Sequence, residues 1–429
     1  MRTFWHHWLI VGVALTLSST GAGQESLRQQ LKDIDTAPHW IYDDWPQAVA
    51  EGKRTGKPLL VVLRCVPCPP GRTLDTQVMQ PNADLEALEK NFVCVRLIQT
   101  NNLDLKLFQY DYDMSWACMI LNADGTIYGR YGTRAANGPR SDAYLSVPSF
   151  RKALERAWEL HRNYPGNKEQ LAGKIGKEPD YPTPTKIPGL QDKPLVAMSR
   201  QTCIHCHMIR ENILRSKWQQ NRLSPADLWA YPLPDTIGLT MDVDDGLRVQ
   251  AVTPNSPATA AGLAAGDELV KLNGQPLISL ADIQWVLHHA PNDAKLTATL
   301  RRDGQLLDKT ITLSGTWKEI DLAWRASSWF GLRQGLKLDP ISGPEKANRG
   351  IAAKDMALSV RGMYGRSGAV LPKAGLRNGD ILIAVDGKTD LLTETDFLVY
   401  LRLTHGPGDF VKFTILRGAN RHELTIPMW

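Results

Sequence analysis

Two C-x-x-C motifs constrain this 429-residue chain more than any other feature of its sequence. Four of its six cysteines fall in these motifs, as the pairs Cys65/Cys68 and Cys203/Cys206. Six cysteines are far too few to brace a chain of this length, which is long enough for roughly three or four domains. We therefore expect the paired cysteines to serve chemistry, while hydrophobic cores hold the domains together.

Composition and charge narrow the classes of function. Hydrophobic residues make up 43% of the chain and charged residues 22%, which is ordinary for soluble globular domains. The net charge is +5 and charges of both signs are interspersed, so nothing indicates a nucleic-acid partner. Beyond the N terminus no stretch is long and apolar enough to cross a bilayer, so we expect no membrane span in the mature chain.

The first 23 residues are typical of a secretory signal peptide. Arg2 precedes an apolar run at 8–17, and small residues at 18–23 offer a cleavage site near Ala22 or Gly23. A short membrane anchor is the alternative, although the apolar run is short for one. The prediction is export to an oxidising compartment, so that the mature protein is periplasmic or secreted.

Residues 38–163 carry the pattern of an α/β domain. Buried strands are predicted at 57–63, directly before the first C-x-x-C, and at 92–98. Asp-Gly at 124–125 predicts a hairpin turn, and 150–161 has the periodicity of an amphipathic helix. This order of elements resembles the thioredoxin fold.

Two short motifs make the resemblance narrower. Gly-Lys-Pro at 56–58 and the Asn-x-Asp-Gly pattern at 122–132 are similar to those of secreted thioredoxin-like domains. The resemblance implies Cys65 as the attacking thiol, at a helix N terminus that lowers its pKa, with Arg64 adding positive potential. It implies Cys68 as the resolving thiol of the mixed disulfide.

Other interpretations of this pair stay open. The position where the family carries a cis-proline falls at 115–117, which reads Ser-Trp-Ala, and Cys118 follows it. The pair could therefore be a structural disulfide, or part of a metal site. Cys94 lies between apolar residues in a predicted strand, so we expect it to be a buried, unreactive core residue.

The second C-x-x-C follows a segment rich in Pro, Gly and Lys. Residues 164–198 predict a linker with extended stretches, and residues 199–232 predict a helical segment that carries Cys-Ile-His-Cys-His at 203–207. C-x-x-C-H is the pattern by which two thiols bind a c-type haem covalently and the following histidine binds its iron. The haem interpretation assigns Cys203 and Cys206 to the porphyrin and His207 to the metal.

Two alternatives to haem c stay open at this motif. One is zinc or another metal held with the help of His205 and His207, and the other is a simple dithiol or disulfide. The second axial ligand of a haem is not readable, although Met198, Met241 and His161 are candidates.

Residues 233–315 and 330–429 repeat one pattern. The shared short motifs are Ala-Gly-Leu at 261–263 and 374–376 and Gly-Asp at 266–267 and 379–380, and the first copy also carries Ser-Pro-Ala at 256–258. The pattern resembles PDZ domains of the bacterial periplasmic protease type. No Gly-rich stretch with a Ser nucleophile is found, so we do not expect a serine protease.

The PDZ resemblance implies that a partner's peptide C terminus adds as a strand, with its carboxylate held by a Gly-containing loop. In the first copy the loop is Ile237, Gly238 and Leu239, and Ile283 and Leu287 line the side-chain pocket. In the second copy the counterparts are a Gly-Leu pair at 335–336, then Phe397 and Leu401, after an insertion at 341–354. The alternative for the second copy is that it only packs against its neighbours.

The whole order resembles a group of secreted bacterial thioredoxin/PDZ proteins, some of which are selenoproteins. The predicted fold class is multidomain α/β plus mainly-β, with a thioredoxin-like fold followed by two PDZ-like domains. The predicted function is a periplasmic thiol–disulfide redox protein whose PDZ modules tether a client, with a possible covalent haem. The alternative is a non-enzymatic PDZ adaptor or an electron-transfer cytochrome with an inert thioredoxin-like domain.

Overall fold

The computed structural model describes residues 28–33, 37–66, 68–79, 82–134, 142–191, 203–328 and 335–429. The predicted signal peptide at 1–23 and the haem-ligand candidate Met198 lie outside these ranges. Within the described ranges, no helix combines the length and the hydropathy needed to span a bilayer.

The first domain is a five-stranded mixed sheet with helices on both faces. Its strands lie in the order β1-β3-β2-β4-β5, with β2 parallel to β3 and antiparallel to β4. Leu60 and Val62 of β2 face one core and Leu59 and Val61 face the other, so a continuous apolar run is buried on both sides of the sheet. The elements are β1 Ile41–Tyr42, α1 Trp45–Thr55, β2 Leu59–Arg64, α2 Arg72–Met79, α3 Ala83–Glu89, β3 Val93–Leu97, β4 Trp116–Leu121, β5 Ile127–Tyr131 and α4 Val147–Arg162.

The segment predicted as a linker packs against both cores of the first domain over its described part, 164–191. It contains a short helix, α5 Lys168–Leu171, and two 3-10 turns, Ala172–Lys174 and Pro184–Lys186. Leu171 and Ile187 are buried in the two cores of the first domain. Apolar residues within this Pro- and Gly-rich stretch therefore anchor it to the first domain, whereas the sequence predicted a linker with extended stretches.

The C-x-x-C-H motif leads into a helix that belongs to no domain of its own. Helix α6, Cys206–Gln219, begins inside the motif, and the short helix α7, Pro225–Leu228, follows it. At its start Ile209 packs in a core of the first domain, and at its end Trp218 packs in the core of the C-terminal domain.

The next domain consists of two small antiparallel sheets and one long helix. Its two-stranded sheet is β6-β7, and its four-stranded sheet has the order β11-β10-β8-β9. Their residues enclose one hydrophobic core. The elements are β6 Leu239–Met241, β7 Val249–Val252, α8 Pro257–Ala260, β8 Glu268–Leu272, β9 Gln275–Pro276, α9 Leu280–His289, β10 Ala294–Arg302 and β11 Gln305–Leu313.

The C-terminal domain repeats this succession with a single sheet. Its strands lie in the order β12-β13-β14-β15-β16, all antiparallel. Part of the insertion at 341–354 forms the extra helix α10. The elements are β12 Leu336–Pro340, α10 Gly343–Asn348, β13 Leu358–Met363, α11 Arg366–Val370, β14 Ile381–Val385, α12 Glu394–Thr404, β15 Phe410–Arg417 and β16 Asn420–Pro427.

Helix α9 packs against the edge of the first domain through buried polar contacts. The Asp282 carboxylate accepts from Lys174 Nζ at 2.8 Å and from the backbone N–H of Arg130 at 3.2 Å. The guanidinium of Arg130 lies 3.6 Å from the centre of the Trp285 ring, and the Trp285 indole donates to the carbonyl of Gly173. Because buried charges need such partners, these contacts allow few other orientations of the two domains.

A second buried ion cluster joins the connector after β11 to the first domain. Arg325 Nη1 lies 2.9 Å from the Asp111 carboxylate and 3.0 Å from Asp113 Oδ2. The backbone N–H of Ser327 donates to Asp113 Oδ1 at 2.7 Å, and Arg210 of α6 lies 3.7 Å from Asp113 Oδ2. The Arg325 side chain is 1% exposed, so its charge depends on these carboxylates.

Replacing Arg325 by Ala is expected to destabilise the protein severely, because Asp111 and Asp113 stay buried after the guanidinium that neutralises them is lost. We expect the free energy of unfolding to fall by about 3–5 kcal/mol in urea titrations. The control is Arg301→Ala, since Arg301 is 46% exposed in its ion pair with Glu268. That change should cost about 0–1 kcal/mol. Equal losses in the two variants would contradict the role given to the buried cluster.

Candidate thiol–imidazole site

The first C-x-x-C lies in a loop between β2 and α2. The backbone N–H of Cys65 donates to the carbonyl of Ser115 at 2.9 Å, and that of Cys68 donates to the carbonyl of Cys65 at 2.9 Å. Helix α2 begins only at Arg72. The expectation that Cys65 sits at a helix N terminus is therefore not met. The two prolines at 69–70 and Gly71, whose φ is +76°, delay the start of the helix.

Arg64 holds this loop in place. Its buried guanidinium donates from Nη1 to the carbonyls of Cys65 at 2.8 Å and Ser115 at 3.0 Å, and from Nη2 to the carbonyl of Cys68 at 2.9 Å. Its Nε lies 3.1 Å from the Asp75 carboxylate. The sequence indicated only that Arg64 adds positive potential, whereas the structure makes it the brace of the dithiol loop.

The second C-x-x-C meets the first through His205. His205 Nδ1 lies 3.1 Å from Cys65 Sγ and 3.5 Å from Cys68 Sγ. The three ligand atoms lie within 4.8 Å of one another. Residues about 140 positions apart in the chain thus form one compact group. The histidine of this group, His205, lies between the two cysteines of the second motif.

Backbone contacts fix the position of His205. The carbonyl of Ile204 accepts from Thr100 Oγ1 at 2.5 Å, and the backbone N–H of Ile204 donates to Asn101 Oδ1 at 3.3 Å. Helix α6 begins at Cys206, directly after His205, and packs Ile209 into a core of the first domain. The strand-to-loop segment after β3 therefore guides the second motif onto the first.

The two thiols of the pair have different environments. Cys65 is 7% exposed, whereas Cys68 is partly exposed. The hydrogen bond from Cys65 and the neighbouring His205 lower the pKa of Cys68 well below its usual range. The same bond, together with burial, raises the pKa of Cys65. The lowered pKa and the greater exposure of Cys68 favour it as the thiolate, whereas the resemblance implied Cys65 in that role.

The other two motif cysteines face the interior. Cys206 is 4% exposed and accepts a hydrogen bond from the Tyr110 hydroxyl at 3.2 Å. Burial raises its pKa to about 11. Cys203 is also buried. Neither thiol belongs to the compact group formed by Cys65, Cys68 and His205.

These surroundings do not fit a covalent haem. The Cys206 thiol faces Tyr110 and packs with Ile209 in a core of the first domain, where a porphyrin would have to displace that core. His207 is partly exposed, with Nδ1 3.7 Å from Glu211 Oε2. Met241, a candidate second ligand, is buried in the core of the following domain.

The remaining cysteines lie away from the group. Cys94 is buried in β3 and Cys118 in β4, and burial raises the pKa of each thiol well above its usual value. Cys118 pairs with Val62 and Tyr131 of the neighbouring strands. It therefore does not join Cys65 and Cys68, although it follows the segment that lies beside them.

The predicted peptide-binding residues of the first PDZ copy come together in one core. Ile237, Leu239, Ile283 and Leu287 are all buried and in the same cluster. Gly238 has a φ of +86°, and a Cβ there would lie 2.1 Å from Ser256 Oγ, so the loop requires glycine. Strand β6 pairs with β7 in a two-stranded sheet, so it is an edge strand, the kind of strand to which a peptide adds in PDZ domains.

The corresponding edge of the second copy is occupied by the chain itself. Strand β12 is also an edge strand, but the N–H of Leu338 donates to Glu394 Oε1 at 2.9 Å. Lys337 Nζ lies 3.0 Å from the other oxygen of that buried carboxylate. Phe397 and Leu401 lie in the domain core. The alternative that this copy only packs against its neighbours fits these contacts.

Comparisons with known proteins identify two modules. A family described as thioredoxin-like matches residues 40–123, and one described as PDZ domain matches residues 236–313. The chain therefore contains a thioredoxin-like domain followed by a PDZ domain.

The proteins that this chain resembles in sequence match only part of it. The periplasmic serine endoprotease DegP of Escherichia coli K12 is 31% identical over 149 residues, which are 34% of this chain and 28% of that protein. The periplasmic pH-dependent serine endoprotease DegQ of the same strain is 36% identical over 132 residues, 28% of this chain and 29% of that protein. This chain thus spans less than a third of either relative.

Solved structures resemble this chain over less than a third of its length. A serine endoprotease from Yersinia pestis has a TM-score of 0.17 at 28% identity, covering 18% of this chain and 28% of that one. The HtrA-type protease AlgW with decapeptide has a TM-score of 0.19 at 13% identity, covering 30% of this chain and 44% of that one.

In the reduced protein, iodoacetamide at neutral pH is expected to alkylate Cys68 before any other cysteine. Cys68 is partly exposed and has a lowered pKa, and only the thiolate is nucleophilic. Peptide mass spectrometry over a time course measures the order of labelling. Cys94 is the internal control and should stay unmodified until the protein is denatured. Labelling of Cys65 first would restore the roles implied by the thioredoxin resemblance.

Proposed function

We propose that this protein is a thiol–disulfide exchange protein that acts on clients held by its PDZ domain. The observation that carries the proposal is the contact of His205 with the Cys65/Cys68 pair, at 3.1 and 3.5 Å. A cationic or hydrogen-bonding imidazole beside a dithiol favours the thiolate that exchange requires. The thioredoxin-like match at residues 40–123, which includes both cysteines, supports this assignment.

The exchange has two steps. The Cys68 thiolate attacks one sulfur of a client disulfide, forming a mixed disulfide and releasing the first client thiolate. The cationic His205 gives its Nδ1 proton to this first client thiolate. Cys65 then gives its proton to the neutral Nδ1 and attacks Cys68 Sγ, which forms the Cys65–Cys68 disulfide and releases the second client thiolate. His205 passes this second proton to the second client thiolate, so two protons and two electrons have moved to the client. A dithiol donor returns the pair to the reduced state.

The compartment belongs to the same proposal. The relatives DegP and DegQ are named as periplasmic proteins, and residues 1–23 predict a signal peptide. Client disulfides persist in such an oxidising compartment. We therefore propose a periplasmic protein.

One observation favours a second function. Cys65 is 7% exposed and His205 contacts both sulfurs of the pair, so an inert dithiol in a non-enzymatic PDZ adaptor is the competing proposal. An adaptor of this kind would bind partner peptides without reducing them. Activity measurements on the cysteine variants separate the two proposals.

Replacing Cys68 by Ser is expected to reduce insulin-disulfide reduction to the rate of dithiothreitol alone, because the attacking thiolate is lost. Cys65→Ser should instead stop after one attack and trap a mixed disulfide, which mass spectrometry detects. Cys94→Ala is the matched control and should keep the activity, since Cys94 lies in a core away from the site. No activity in the unmodified protein would support the adaptor instead.

Tethering should appear as a dependence on the client's C-terminal carboxylate. The substrate is a peptide with one disulfide and an apolar C-terminal tail, prepared with a free carboxylate and as the carboxamide. The free acid should be reduced several-fold faster at low concentration, because binding raises the effective concentration of the disulfide. A small disulfide without a tail is the control. Equal rates for acid and amide would contradict tethering.

A truncated protein would not test this point. Helix α9 of the PDZ domain covers buried groups next to the first domain, among them Lys174, whose Nζ lies 2.8 Å from Asp282 Oδ2. Removing the PDZ domain would expose these groups and change the stability of the thioredoxin-like domain. The peptide comparison leaves the protein intact.

A further inference from the structure

We propose that Cys65, Cys68 and His205 form a binding site for a thiophilic d10 metal ion, Zn²⁺ or Cu⁺, in the reduced protein. The site draws two sulfurs from one motif and one nitrogen from the other. It uses the same dithiol as the exchange reaction, but metal binding does not require that the exchange takes place.

The distances between the ligand atoms suit a shared ion. Zinc lies about 2.3 Å from a thiolate sulfur and about 2.0–2.1 Å from an imidazole nitrogen, so tetrahedral geometry places S and N about 3.6 Å apart. The separations from His205 Nδ1 are 3.1 Å to Cys65 Sγ and 3.5 Å to Cys68 Sγ. A shift of about half an ångström at Cys65 brings both S–N separations close to this value, and all three ligand atoms lie within 4.8 Å of one another.

The ligands are held before any ion arrives. Arg64 ties down the carbonyls of both cysteines, and Thr100 and Asn101 hold the residue before His205. A preorganised site loses little conformational freedom on binding. The bound ion would also join the loop after β2 to the start of α6.

The type of ligand selects the class of metal. Two thiolates and an imidazole favour Zn²⁺ or Cu⁺ over Mg²⁺ or Ca²⁺, which prefer oxygen. Among the described residues, no carboxylate belongs to this group of ligand atoms. Because Cys68 is partly exposed, a fourth position can be filled by water or by a client thiolate. Three protein ligands with an open position are typical of reactive zinc sites.

Metal binding and disulfide exchange exclude each other at this site. Oxidation of Cys65 and Cys68 to a disulfide removes two protons and two electrons, which pass to the client disulfide, and it leaves no thiolate for a metal. A metal bound by both thiolates in turn removes the nucleophile. The ion would therefore keep the reduced dithiol out of exchange until it is released.

The test uses the full-length mature protein, reduced and stripped of metal under anaerobic conditions. Co²⁺ serves as the spectroscopic probe for zinc, and we expect one equivalent to give a thiolate-to-cobalt charge-transfer band and the visible bands of tetrahedral cobalt. Zn²⁺ should bleach these bands. A parallel arm measures Cu⁺ affinity against a chromogenic Cu⁺ chelator, and metal analysis of the protein before it is stripped shows which of the two ions it carries.

Variants locate the site. His205→Gln should weaken binding at least tenfold, and Cys68→Ser should remove one thiolate-to-cobalt band. His207→Gln is the matched control, since it changes the other histidine of the motif and should leave the affinity unchanged. Protein oxidised to the Cys65–Cys68 disulfide should not bind. A loss caused by His207→Gln but not by His205→Gln, or equal binding by oxidised protein, would overturn the proposal.

Failure of this proposal can be told apart from failure of the exchange function. Metal-free protein that reduces insulin but takes up neither ion refutes only the metal site. Protein that binds one equivalent of metal through His205 but is inactive when stripped of it refutes only the exchange function. If both hold, adding one equivalent of the ion should inhibit insulin reduction, and a chelator should restore it.

Discussion

The packing of helix α6 between the first and last domains is the constraint on which the rest of the structure depends. At its start, His205 lies against the Cys65/Cys68 pair. At its end, the Trp218 indole donates to the carbonyl of His405 at 2.7 Å, and the Arg402 guanidinium lies 4.3 Å from the ring centre. A helix of fourteen residues thus connects the chemistry of one domain to the core of another. The short C-x-x-C-H segment needs no domain of its own because its neighbours supply its packing partners.

Buried ion clusters orient the domains around that helix. Arg325 binds Asp111 and Asp113, which lie in the loop before β4, and Arg210 of α6 approaches the same Asp113. Lys174 and Asp282 join the first domain to the PDZ domain in the same way. Such pairs contribute little net stability over an apolar core, but an unpaired member is costly, so they penalise wrong arrangements. The thiols, the histidine and the PDZ domain therefore keep a defined geometry, and a tethered client would meet the dithiol from a limited set of directions.

The PDZ domain and the C-terminal domain share a sequence pattern but differ at the strand that corresponds to the peptide-binding edge. In the first, β6 remains an edge strand beside a glycine loop that only glycine can form. In the second, Glu394 already occupies the N–H of Leu338 on the equivalent strand. A buried carboxylate of the chain thus takes a place that a peptide group would need, and it does so in the copy whose sequence departs furthest from the shared pattern.

The sequence by itself determined the modules, because the signals for them are local. A continuous apolar run before the first C-x-x-C predicts a strand buried on both faces, and Asp-Gly at 124–125 predicts the turn between β4 and β5. The repeated Ala-Gly-Leu and Gly-Asp motifs predict the PDZ domain in the same local way. What only the tertiary structure decided is the meeting of the two C-x-x-C motifs. His205 reaches Cys65 because loops after β3, a packed 164–191 segment and two buried ion clusters direct the chain, and contacts across about 140 residues leave no periodicity or spacing in the sequence. The same long-range packing turns Cys206 towards Tyr110, so a motif that predicts haem by its spacing is placed where its thiol is enclosed by a core.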